Sequence, residues 1–447
     1  MNLTIRFLAM KGFVLFFPIL FISTHTYAQK EYDLLGKGAR AAGMACAFNA
    51  IADDVTALSW NPAGIVQIKK PEIAFEVNHN ATEYSHEIES DREYKSITTI
   101  DYLGFVYPLK IKMKDLVFGT SLENQMNLKS SYYPNEEVLQ HDYSYNNNLT
   151  VNSVSLCGAF SITRFLGIGL SFNKWFSLGN KADGYTYFYT KMIDDSAYTF
   201  DEYHHNENES FNYTGYNFTG GILVDLISFH LPLRFSLKYE SKFTLKNNYD
   251  ISGQVKYAYE NDIDTLVIEE SKGIEKYHFP GIIAMGLSYR FGNYLTLACD
   301  YDIKPFKNKH YTFNYGWDRN YYTNNQTPPV LNMTEQYQDE YYFLKSNANL
   351  NQFRIGAEYI FHPKFGLIPL RAGWKNNPTS ISSYNENGNP VKQVYAHSIN
   401  VGTGFITKHF SIDLAFERYK FERRDINYRN EIVVYHFFDL SVIFYLQ

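Results

Sequence analysis

The sequence predicts an all-β protein: a transmembrane antiparallel β-barrel of about 14 strands with an N-terminal segment plugging the lumen. Three observations lead there. The chain opens on a short apolar leader, most of its length alternates apolar and polar residues, and the connections between alternating segments are short and long in turn.

The leader comes first. Lys11 precedes the apolar run from Gly12 to Ile22, and Thr26-Tyr27-Ala28-Gln29 supplies small residues at cleavage positions. A basic start, a short apolar stretch and a small-residue exit read as a secretory signal peptide over residues 1–28. The run falls short of the roughly 20 apolar residues a spanning helix needs, and no later segment reaches that length. The expected product leaves the cytoplasm with an N-terminal segment over 29–71 and a barrel over 72–447.

Composition narrows the class. A formal charge of −6 and 45% hydrophobic residues are ordinary, whereas 39 Tyr and 35 Phe are not. No basic block points to nucleic acid. Cys46, Cys157 and Cys299 are an odd number for a disulfide framework and sit in small or apolar contexts, so they read as packing residues.

Alternation marks a strand with two unlike faces. Leu233, Phe235, Leu237 and Tyr239 oppose Arg234, Ser236, Lys238 and Glu240. Phe353, Ile355, Ala357 and Tyr359 oppose Arg354, Gly356 and Glu358, and Phe410 to Glu417 repeats the pattern. Such segments are expected at 72–79, 97–108, 115–126, 150–163, 165–176, 211–226 and 232–245. They continue at 277–290, 293–303, 351–361, 366–375, 395–406, 410–420 and 434–446. Most approach the roughly 9–11 residues with which a tilted strand crosses a bilayer. Connections such as 164, 227–231 and 407–409 are short, while 177–210 and 304–350 are long and polar. A sandwich or β-helix gives no reason for that asymmetry; an outer-membrane barrel does. The charged face is expected to meet water and the apolar face lipid.

Residues 43–65, "GMACAFNAIADDVTALSWNPAGI", precede the first strand and are rich in Ala and Gly. A barrel of this strand number has room for a polypeptide inside, and small residues let it approach the wall. Pro62 fixes its own φ and pushes Asn61 out of the helical region, which makes a rigid corner.

Residues 38–71 carry Gly38-Ala39-Arg40-Ala41-Ala42-Gly43, Phe48, Ile51-Ala52-Asp53-Asp54, Asn61-Pro62-Ala63-Gly64 and Pro71. This stretch resembles the N-terminal hatch of the FadL-type outer-membrane transporters for fatty acids and other hydrophobic compounds. Weaker likeness continues through Gly356-Ala357-Glu358-Tyr359 and Arg371-Ala372-Gly373-Trp374. The resemblance implies ligand diffusion through a plugged barrel of 14 strands, with Asn61, Pro62 and Ala63 as the hatch motif. It implies capture by extracellular loops and exit sideways into the membrane at an inward kink of the third strand. A hydrophobic small-molecule ligand, outer-membrane lipid and the barrel-assembly machinery are the expected partners of a monomer. The runner-up is a barrel component of a secretion system that shuttles exported proteins.

Two departures stand beside the likeness. The sequence reads Phe444-Tyr445-Leu446-Gln447 where such barrels usually end on an aromatic residue, and no basic pair aligns to hold a carboxylate. Candidate capture residues are Tyr185, Tyr187, Phe188 and Tyr189 on one long connection, and Tyr311, Phe313, Tyr315 and Trp317 on another. For the lateral gap, Gly119 supplies a bend, and Glu123, Asn124 and Gln125 interrupt an apolar stripe that runs from Leu116 through Phe118, Thr120 and Leu122 to Met126. No cofactor, metal site or enzyme is expected. Gly-x-Ser-x-Gly and His-Glu-x-x-His are absent, Gly36 to Ala41 follows no strand, and His204-His205 lies in a polar stretch.

Overall fold

The computed structural model describes residues 35–446 apart from 87–91, 112–113, 129, 133–140, 180, 190–201, 259–264, 308–309, 324–329, 345–347, 385–389 and 425–429. The leader over 1–28 lies outside the described residues.

The chain forms β1 (Glu72–His86), β2 (Arg92–Ile111), β3 (Lys114–Asn127), β4 (Ser130–Tyr132), β5 (His141–Asn147), β6 (Thr150–Thr163) and β7 (Leu166–Leu178). Then come β8 (Lys181–Tyr189), β9 (Glu202–Asp225), β10 (Leu233–Glu240), β11 (Phe243–Ala258), β12 (Thr265–Phe279), β13 (Ile282–Phe291) and β14 (Leu295–Ile303). The last are β15 (His310–Thr323), β16 (Val330–Leu344), β17 (Gln352–Phe361), β18 (Ile368–Tyr384), β19 (Pro390–Ile406), β20 (Phe410–Arg424) and β21 (Asn430–Tyr445).

Fourteen of these close a ring by antiparallel pairing: β1, β2, β3, β6, β7, β9, β10, β13, β14, β17, β18, β19, β20 and β21. Closure runs from Glu72 opposite Tyr445 to His86 opposite Glu431. A closed ring has no free edge, which is what lets a sheet stand in lipid.

The remaining strands rise from one end. β5 pairs with β8, β8 and β11 with the first part of β9, β11 with β12, β12 with β15, and β15 with β16. This corrects two expectations. The stretches 177–210 and 304–350 are not simple loops, because β8, the start of β9, β15 and β16 run through them. Likewise 232–245 and 277–290 each hold two strands: β10 and β13 stay in the ring, while β11 and β12 leave it as a hairpin. At 24 residues β9 is more than twice what crosses a bilayer, so its first half stands beyond the hydrocarbon.

Burial in the ring is inverted relative to a water-soluble protein. Ile100, Leu156 and Ile399 are about 65% exposed, whereas Arg354, Asp300 and Glu358 are at most 1% exposed. Only an apolar surrounding makes that arrangement favourable. Aromatic pairs such as Phe165–Phe229 and Tyr359–Phe361 band the short-turn end, where amphipathic rings suit the interface.

Residues 35–68 lie inside the ring. Three short helical turns, Ala39–Gly43, Ala57–Trp60 and Pro62–Gln67, carry the path, and Met44, Phe48, Val55, Trp60 and Ile65 are buried against the wall. The inward charged residues therefore do not meet bulk water, as the alternation alone suggested. They meet this segment and one another.

Candidate functional site

Asn61 is extended (φ −149°), and its Oδ1 accepts from the Ala63 N–H at 3.0 Å. This caps the turn that Pro62 begins, since proline at the first helical position forfeits no hydrogen bond. The Asn61 Nδ2 donates to the Ile222 carbonyl of β9 at 3.2 Å and so ties the corner to the wall. Opposite it the wall has no side chains: a Cβ on Gly221 would sit 2.0 Å from Asn61 Oδ1, and one on Gly169 would sit 2.3 Å from the Pro62 carbonyl carbon. Asn61, Pro62 and Ala63 thus lie against β7 and β9 at backbone contact. The glycines that receive them were missed by sequence reading, although Gly167-Ile168-Gly169 and Gly220-Gly221 are visible there.

Ion pairs hold the other side. Arg40 Nη1 reaches Asp53 at 2.7 Å and Asp54 at 3.3 Å, while its Nη2 and Nε span both oxygens of Glu358 in β17 at 2.9 and 3.0 Å. Glu358 also accepts from Arg371 Nε of β18 at 2.7 Å, and Arg371 reaches Asp413 of β20. Asp300 of β14 accepts from the Phe48 and Asn49 N–H groups at 2.8 and 2.9 Å. Burial works against charge on Arg40, yet Asp53, Glu358 and Asp54 hold its guanidinium well above its ordinary value. Burial raises the Asp54 carboxyl more than Arg40 lowers it. A carboxyl raised on docking takes up protons as it docks, so the Asp54 contribution to docking should strengthen as pH falls toward its ordinary 3.8. Protection factors over residues 48–58, which divide out the slower intrinsic exchange at low pH, should rise from pH 7 to pH 5; lower protection factors at pH 5 would count against it.

A second feature lies between β2 and β3. Their ladder runs from Ile111 opposite Lys114 to Tyr102 opposite Glu123 and goes no further, while β2 continues to Arg92 paired with β1 alone. Asp101 sits at a bulge, between Glu76 opposite Tyr102 and Val77 opposite Ile100. On the far side, the β3–β6 register shifts between Asn124 and Met126. Sequence reading had Asn124 and Met126 continuing the lipid-facing stripe of Phe118. Instead Glu123, Asn124 and Met126 are all buried: the bulge at Gln125 turns Met126 inward, while Asn124, just before it, is bonded to Asp101 of β2. Gly119 is paired on both sides, with Val106 and Cys157, and a Cβ there would meet Leu58 at 2.6 Å. It admits the inner segment rather than bending the strand.

Inner-segment side chains span the end of that ladder. Lys37 Nζ pairs with Asp101 at 3.2 Å and Ser59 Oγ donates to Glu123 at 2.8 Å. Asn124 Nδ2 donates to Asp101 at 3.2 Å, and Gln125 Nε2 to Glu123 at 3.1 Å. Burial lowers the affinity of Lys37 for its proton, but Asp101 and Glu76 more than offset this and raise it.

Beyond the bulge, Met126 joins a buried apolar cluster with Val151, Trp175, Tyr213 and Phe279, against which the half-buried Phe243 packs. Phe243 lies 4.8 Å from both the Trp175 and Phe279 ring centroids. Sequence reading missed this cluster, since its members come from separate strands. Of the capture residues, Tyr185, Tyr187, Phe188 and Tyr189 fall in β8, and Tyr311, Phe313, Tyr315 and Trp317 in β15; their side chains lie outside the described residues.

A family model described as outer membrane protein transport protein (OMPP1/FadL/TodX) matches residues 19–439. No curated protein matches the chain. Among solved structures, a Pseudomonas aeruginosa FadL homologue is similar at a TM-score of 0.59 and 11% identity, over 92% of this chain and 99% of that one. The Pseudomonas putida toluene transporter TodX gives 0.60 and 12%, over 92% and 98%, and the Ralstonia pickettii toluene transporter TbuX gives 0.54 and 15%, over 93% and 100%. At such identities these likenesses speak for the fold. Nothing in them supports the secretion-component alternative. A closed ring with an apolar outer face, matched along nearly its whole length by that model, is an outer-membrane transport barrel of a Gram-negative bacterium, and the chain belongs to the OMPP1/FadL/TodX family.

Proposed function

We propose that the barrel passes hydrophobic small molecules from outside into the membrane by diffusion, without chemistry on the ligand, and that residues 35–71 act as a hatch. The observation that supports this is the end of the β2–β3 ladder at Tyr102 and Glu123, beside an inner segment packed against the wall. A molecule held by Trp175, Phe243 and Phe279 has Met126 as its neighbour toward that end of β3. Apolar rings around a buried site suit a hydrocarbon body. The solved relatives named as toluene transporters support the same ligand class.

Capture belongs to the strands above the membrane. The aromatics of β8 and β15 are proposed to gather ligand there. Changing Tyr185, Tyr187, Phe188 and Tyr189 together to Ser should lower uptake several-fold while the folded barrel's gel mobility is kept. Unchanged uptake would remove β8 from the route.

A cysteine at Ala63, which is fully buried, tests the hatch. A bulky maleimide added to intact cells should label Ala63→Cys slowly, at a rate that ligand does not change. If ligand passage swings the hatch aside toward the periplasm, labelling accelerates with ligand and the sideways route fails.

A further inference from the structure

Beside the upper end of the β2–β3 ladder lies a cavity of about 110 Å³ lined by Lys37, Glu76, Asp101, Lys375, Glu417 and Asp439, among others. Glu123 adjoins it through Ser59, whose Oγ also accepts from the Lys37 N–H at 3.1 Å. Carboxylates outnumber ammonium groups here, and Lys375 is already paired with Glu417 at 3.0 Å. Two acceptors are buried without a donor: Glu76 Oε2 and Asn124 Oδ1, on residues 3% and 6% exposed. Glu76 is a lining residue of the cavity, and Asn124 bonds Asp101 across the strand gap.

We propose that this acidic passage selects uncharged hydrophobic molecules that carry a hydrogen-bond donor, such as phenols or alcohols, and rejects carboxylate anions. Three features carry the inference. A carboxylate entering would meet like charges in a partly buried site, where their repulsion is stronger than in bulk water. A hydroxyl would supply the donor that a buried acceptor otherwise lacks, and an unmet acceptor is costly. A bare hydrocarbon meets neither the penalty nor the gain, so it falls between. The inference rests on the sideways route proposed above and deepens it by naming the ligand's head group.

Three labelled probes with one carbon frame separate the cases: p-cresol, toluene and p-toluate. Uptake is measured in intact cells that lack other proteins of this family, above cells carrying empty vector. The protein should take up p-cresol fastest and toluene next, with p-toluate at the vector level. The double variant Asp101→Asn/Glu123→Gln should raise the ratio of p-toluate to toluene uptake by about tenfold, the scale set by removing like charge near a buried site. Asn124→Leu, which keeps every carboxylate, should lower p-cresol uptake toward that of toluene. Equal uptake of p-toluate and p-cresol by the unaltered protein overturns the inference, as does an unchanged ratio in both variants. Toluene uptake with no discrimination leaves the transport reading standing and sinks only the selectivity; no uptake of any probe sinks both.

Discussion

Glu358→Ala is expected to loosen the inner segment by about 3–5 kcal/mol, the usual cost of removing one member of a buried ion pair. The carboxylate is 1% exposed and is shared by Arg40 of the segment and Arg371 of the wall. Without it Arg371 retains Asp413 and Arg40 retains Asp53 and Asp54, but both lose charge-assisted bonds. The loss should appear as faster hydrogen exchange over residues 40–58, while the ring keeps its resistance to denaturing detergent. Glu358→Gln, which retains an acceptor, should cost less than Glu358→Ala. Exchange as slow as in the unaltered protein would mean that the packing of Phe48, Trp60 and Ile65 alone holds the segment.

Gly221→Val should displace the same segment by a steric route. The new Cβ would fall 2.0 Å from Asn61 Oδ1 and 3.0 Å from the Ala63 nitrogen. Neither atom can yield easily: the first is committed to the cap of Pro62–Gln67, and the second is backbone. β9 cannot move away either, since β7 and β10 pair with it on both sides at this level. The segment is then expected to leave the wall and open the lumen. Cells carrying Gly221→Val should become sensitive to antibiotics too large for ordinary porins, and a cysteine at Ala63 should label quickly. Retained resistance together with slow labelling would show that the wall deforms instead.

The ring was legible because lipid imposes a rule on each of its strands. The expected 150–163 coincides with β6, and 410–420 lies within β20, since an apolar outer face and a polar inner face must alternate through the hydrocarbon. Above the membrane that rule lapses. β15 itself alternates, Tyr311, Phe313, Tyr315 and Trp317 against Thr312, Asn314, Gly316 and Asp318, but with β16 it sits in a long polar stretch and so read as connection. The merged 232–245 failed for a different reason: alternation continues past Glu240 into Phe243, and only the pairing tells that β10 remains in the ring while β11 departs.

The site was half legible. Asn61, Pro62 and Ala63 stand out as a rigid corner, and Asp53-Asp54 as a motif. The partner that gives those aspartates their purpose, Arg40, is close in sequence, but Glu358 lies 318 residues beyond it. The stripe misled at Met126 because one bulge at Gln125 reverses which face a strand presents, and alternation cannot register an extra residue without its partner strand. Trp175, Phe243 and Phe279 looked like ordinary strand aromatics for the same reason.

The central claim is that ligand leaves sideways between β2 and β3, and covalent labelling tests it most directly. A hydrophobic ligand carrying a diazirine is loaded into cells and activated by light, and the modified residues are read by mass spectrometry. The account predicts labels around Trp175 and Met126, then at 97–101 of β2 and 123–127 of β3, with none on Pro62–Gln67 or at the turn Leu226–Phe229. Labels along the hatch and the short-turn mouth, with none on the facing edges of β2 and β3, would contradict it.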